Sequence, residues 1–193
     1  MRRFSRIFAW TTLFFVAGAV LFFTKAAALP YKVAWPVLLL SLATFLSRRR
    51  ELLPFGFAFL FSAAGDAVGA RGLFIPQMAF FALAHAAYVC WFLPRARRRL
   101  RAVSLAVTVP LLVFLFAAIV PEAPFPAERI GVAVYGLVIA AMLYSALQYD
   151  GACAAGFRCA ALLFVFSEKH KLFFSTKTSM SGEEVLRTYR SRF

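Results

Sequence analysis

Phe55-Gly56-Phe57-Ala58-Phe59-Leu60-Phe61-Ser62-Ala63-Ala64-Gly65-Asp66-Ala67-Val68-Gly69 is an apolar stretch of helical length that carries one carboxylate, Asp66. With its flanks the run extends from Leu52 to Ala70, long enough to cross a hydrocarbon core about 30 Å thick at about 1.5 Å per residue. An acid inside such a helix costs roughly 2.5 to 3.5 kcal/mol on insertion scales, so it faces a partner or a water-filled cavity and marks function by default. The blander reading is a structural hydrogen bond from Asp66 to Ser62 or to a neighbouring helix.

The rest of the chain has the same character. Of 193 residues, 63% are hydrophobic and 17% aromatic, with 24 phenylalanines, and the mean hydropathy is +0.78. That exceeds what a soluble domain carries, so the chain reads as an all-α polytopic membrane protein. The net charge of +14 does not point to nucleic acid, because the basic residues sit in short clusters between apolar runs. There they act as topology signals and as contacts for the anionic lipids of the membrane. Cys90, Cys153 and Cys159 have no metal or redox spacing and read as small buried hydrophobes.

Seven apolar segments have spanning character: Ile7 to Thr24, Pro30 to Leu46, Leu52 to Ala70, Leu73 to Leu93, Ala102 to Val120, Ile130 to Gln148, and Ala152 to Phe166. The first is too long in its apolar part, and too poor in a cleavage site, for a signal peptide. Residues 1–168 are expected to form one transmembrane helical bundle, and 169–193 a basic, poorly ordered tail. Pro30, Pro54, Pro94, Pro121, Pro124 and Pro126 fall near the ends of runs, where proline costs a helix least.

If the spans alternate, Arg2, Arg3 and Arg6, Arg48 to Arg50, and Arg95 to Arg101 share one side. The positive-inside rule makes that side cytoplasmic, N-terminus included. The chain after Phe166 conflicts with this, because alternation sends it outside although it holds Lys169, Lys171, Lys177, Arg187, Arg190 and Arg192. Either the tail is translocated against its charge, or the seventh segment is partial, or an eighth crossing is missing from this chain.

On this topology the polar residues gather toward the outer leaflet. Asp66 lies about 6 to 8 Å deep from the outer end of its span, and His85 about 18 Å deep in the next, with Tyr88 one turn further. Ser167 and Glu168 close the seventh span on that side, and Lys32 opens the second. Gly65 and Gly69 form a GxxxG that lets a neighbouring helix approach beside the carboxylate, while Phe57 and Phe61 are free to meet lipid. Taken singly, His85 can be satisfied by one interhelical bond, Glu168 can be a solvated helix-end charge, and Lys32 an interface anchor.

The order Ser62-Ala63-Ala64-Gly65-Asp66, then Phe74, Phe81 and Ala84-His85-Ala86-Ala87-Tyr88, resembles the S-x-x-GD … F-x-x-G-x-x-x-F-x-x-AH-x-x-Y core of the YhhN-type transmembrane lysoplasmalogenases. Ala133 to Met142 and Ala160 to Ser167 are similar to that family's sixth and seventh spans, so the likeness covers about Pro30 to Ser167. Tyr31-Lys32 stands where the family has a lysine followed by proline, although here Pro36 comes later. The resemblance implies hydrolysis of the vinyl-ether bond of a lysophospholipid substrate, releasing a fatty aldehyde and a glycerophospho-alcohol. It implies Asp66, His85 and Glu168 as catalytic residues, Glu168 replacing a family aspartate, with Lys32, Tyr88 and Ser167 at the substrate. The family has eight spans, whereas Leu172 to Phe193 is polar and basic here.

Vinyl ethers hydrolyse by slow protonation of the alkene carbon distal to oxygen, so the chemistry needs an acid that stays protonated near neutrality. Apolar surroundings disfavour a charged carboxylate and supply that state. Glu168 is then placed to stabilise the cation or orient water, His85 to orient one acid, and Lys32 to meet the phosphate. No cofactor or metal is expected, since two separated histidines make no ligand set. The contrasting class is a non-enzymatic multi-pass protein, either a proton-coupled small-solute carrier or a lipid-binding relative. A carrier would show inverted repeats with paired broken helices, and none is visible in the sequence.

Overall fold

The computed structural model describes residues 34–47, 49–151 and 153–165, together with Leu13, Val16, Ala17 and Val20. Those last four are helical and exposed. Six helices follow in order: α1 (Ala34–Leu46), α2 (Leu53–Gly69), α3 (Phe74–Phe92), α4 (Arg101–Phe114), α5 (Pro126–Gln148) and α6 (Ala154–Val165). No β-strand occurs among the described residues.

Among the described residues, four helical stretches are long and apolar enough to cross a membrane: Arg50–Gly69, Phe74–Arg95, Arg98–Glu122 and Pro126–Gln148. They correspond to the third to sixth expected spans. The second and seventh appear as the shorter helices α1 and α6, and the first is described at four residues only. Seven full spans are therefore not established.

The distribution of side chains is that of a protein dissolved in lipid rather than water. Large apolar residues stand outside: Val103 is 61% exposed, Val113 62%, Ile130 67% and Leu163 70%. Small or hydroxyl residues stand inside, with Ala58, Ala84, Ser104, Ser145 and Ala146 fully enclosed. Hydrocarbon gives no reason to hide a leucine, so small residues that let backbones approach take the interior. The same logic corrects the expectation for the cysteines. Cys90, Cys153 and Cys159 are all exposed, and a weakly polar thiol in lipid has little need of burial.

The chain forms two compact units, 1–96 and 97–193. In the first, α2 packs against both α1 and α3. The Ser41 hydroxyl donates to the Gly56 carbonyl at 2.9 Å, and a methyl group at Gly56 would meet the Phe45 ring at 2.8 Å, so α1 and α2 touch backbone to side chain. In the second unit α4 and α5 pair, with Leu115 seated in a notch at Gly136 that has no room for a Cβ.

Helix ends follow the prolines. Pro54 lies in the first turn of α2, Pro126 opens α5, and Pro94 and Pro121 sit in short 3-10 turns. Past α4 the chain takes one π turn, Leu115–Ile119, whose Leu115 carbonyl accepts from the Val120 N–H. Pro121 lies just beyond and has no N–H to continue an α-helical ladder, so a widened turn is a natural exit.

Candidate functional site

The first unit carries Asp66 and His85 on two helices that pack against each other. Between α2 and α3 the link is only Ala70 to Leu73, with Gly72 at φ +74°, a left-handed conformation that glycine takes without strain. The two helices therefore run antiparallel and in close contact.

Their register can be read from side chains. A Cβ on Gly69 would overlap the Gln77 carboxamide, and one on Gly65 would press on the Phe81 ring at 3.1 Å. Further along, Phe59 lies 6.4 Å from Tyr88 and Phe55 4.8 Å from Trp91, ring centre to ring centre. The GxxxG face thus meets α3, while Phe57 is exposed.

Asp66 shares the helical stripe of Phe59, Ser62 and Gly69, and His85 shares that of Phe81 and Tyr88, because residues three and four apart lie on one face. These are the stripes through which α2 and α3 touch. Carrying the register along the pair puts Asp66 level with Phe80 and His85 level with Phe61. The backbones of Asp66 and His85 are then about five residues, or ~7.5 Å, apart along the axis.

Asp66 stands in the last turn of α2 and is half-buried. His85 is buried at mid-helix, 3% exposed, and its Nδ1 lies 2.6 Å from the Phe81 carbonyl oxygen. A carbonyl only accepts, so Nδ1 carries the proton and Nε2 is the ring nitrogen able to take one up. Tyr88 is half-buried, with its ring 6.1 Å from that of His85 in an edge-on arrangement. Phe55 and Phe59 pack against Tyr88, giving the inner end of the stripe an aromatic wall. Lys32, Ser167 and Glu168 lie outside the described residues; of the expected set the structure describes Asp66 on α2 and the neighbouring His85 and Tyr88 on α3.

Sequence reasoning passed over Gln77. Its amide fills the Gly69 notch one turn from Asp66, at a position where the resembling pattern carries glycine. The signal that marks it is its place on the His85 stripe, two turns earlier, as a polar residue in an apolar helix. The Phe81 carbonyl, which sets the His85 tautomer, is a backbone group and leaves no mark in the sequence.

A family model described as the YhhN family matches residues 27–173. No curated protein and no solved structure matches the chain.

Proposed function

The chain belongs to the YhhN family, and from that premise we propose that it is a membrane hydrolase that cleaves the vinyl-ether bond of lysoplasmalogens. The observation that supports this most is the placing of a carboxyl group and an imidazole on the facing stripes of one closely packed helix pair. A backbone offset of ~7.5 Å along the pair leaves both side chains within reach of one substrate group.

In this reading the Asp66 carboxylic acid delivers its proton to the alkene carbon distal to oxygen. The alkene electron pair forms the new C–H bond, and the positive charge passes to the ether-bearing carbon and its oxygen. Water adds to that carbon and loses a proton, giving a hemiacetal that collapses to fatty aldehyde and glycerophospho-alcohol. His85, protonated at Nδ1, offers Nε2 to the attacking water or to the acid that must be reprotonated. Glu168 serves as the second carboxylate near the cation, Lys32 as the point charge for the substrate phosphate, and Tyr88 and Ser167 as substrate contacts. No step requires a cofactor.

The test compares two lysophospholipids that differ only in the bond attacked. Purified full-length protein is expected to release aldehyde from the 1-alkenyl lipid and nothing from the saturated 1-alkyl ether, which has no alkene to protonate. Turnover of both at equal rates, or of neither, refutes the reading.

A further inference from the structure

At one end of the second unit the chain ties three consecutive residues to arginines. The Gln148 carbonyl accepts from the Arg97 backbone N–H at 2.9 Å, the Tyr149 carbonyl accepts from Arg158 Nη2 at 2.6 Å, and Asp150 pairs with Arg99. Arg98 and Arg101 flank this knot and are exposed, as is Arg97. Five arginines thus lie in or next to this knot in the chain, with one carboxylate, Asp150, which Arg99 already occupies.

Arg158 is the informative member. It stands in the second turn of the apolar helix α6, and its Nε is buried without a hydrogen-bond partner. An unsatisfied buried donor is costly, more so on a charged group, and an anionic oxygen would relieve it. Beside the knot α4 turns an apolar flank outward, with Val103 61% and Val107 38% exposed one turn apart. A cluster of positive charge next to a greasy helix face fits a ligand that carries both a phosphate and acyl chains.

We propose that this end of the second unit is a binding site for the phosphate headgroup of an anionic phospholipid. Arg158 is the half-buried contact, Arg97, Arg98 and Arg101 form the rim, and Arg99 holds Asp150 out of the way. The site involves none of the residues assigned to hydrolysis, so it stands whether or not that activity is found.

The test uses the full chain purified into mixed micelles of phosphatidylglycerol and phosphatidylcholine, with retained lipid quantified. Wild type is expected to retain phosphatidylglycerol about tenfold over its share, and Arg158→Gln to lower that preference about fivefold, the worth of one basic residue near a lipid surface. The exposed double variant Arg98→Gln/Arg101→Gln disturbs no packed contact and should lower it at least as much. Should Arg158→Gln not fold, the rim variant decides: a lowered preference supports the site, an unchanged one overturns it. Equal retention of the two lipids by wild type overturns the proposal. So does displacement of phosphatidylglycerol by inorganic phosphate alone, which would identify a free anion as the ligand.

Discussion

Asp66→Asn is expected to leave the fold intact and to lower aldehyde release by about 100- to 10,000-fold, the usual worth of a general acid. Asparagine matches aspartate in size and keeps a carbonyl oxygen at the same place, so contacts in the last turn of α2 survive. What it cannot do is deliver a proton. Initial rates with saturating alkenyl lipid, beside the thermal midpoint in the same detergent, separate the two roles. A variant that keeps more than about a tenth of the rate assigns Asp66 to structure.

His85→Phe should cost about 100-fold in rate and little stability. The phenyl ring fills the enclosed space of the imidazole, which is 3% exposed. Losing the Nδ1–H bond does not orphan the Phe81 carbonyl, because α3 continues through this position and the helical backbone still donates to it. What disappears is Nε2. If Asp66 and His85 act on one proton-transfer step, the double variant should be no slower than Asp66→Asn alone, as for residues that work as a unit. Rates that fall as the product of the two single effects would separate the residues functionally. A His85→Phe enzyme within about threefold of wild type would remove His85 from the mechanism.

Much of this arrangement was legible in the sequence because lipid simplifies the rules. Long apolar runs become helices, several prolines mark their ends although Pro110 lies inside α4, and an acid or histidine in such a run has to face protein. Pro54 and Pro126 open helices as their positions require, and Gly65 and Gly69 turn to a neighbouring helix because only small residues allow the approach. Which helix, and in what register, was not legible. That depends on Gln77 and Phe81 filling the two notches, a match between residues in different helices that no local pattern announces. Nor could hydropathy show the π turn at Leu115–Ile119, since an apolar run reads alike whichever carbonyl its amides choose. The expected burial of the cysteines failed for a related reason: burial from water and burial inside protein are different things within a bilayer.

The account turns on proton delivery to carbon, and one measurement reads that step directly. Hydrolysis of the alkenyl lysolipid in deuterium oxide, with the aldehyde trapped as it forms, should give product carrying one deuterium on the carbon next to the carbonyl. Asp66→Asn should yield almost none of that product in the same time. Release of unlabelled aldehyde, or labelled aldehyde formed as fast by Asp66→Asn as by wild type, would contradict the mechanism.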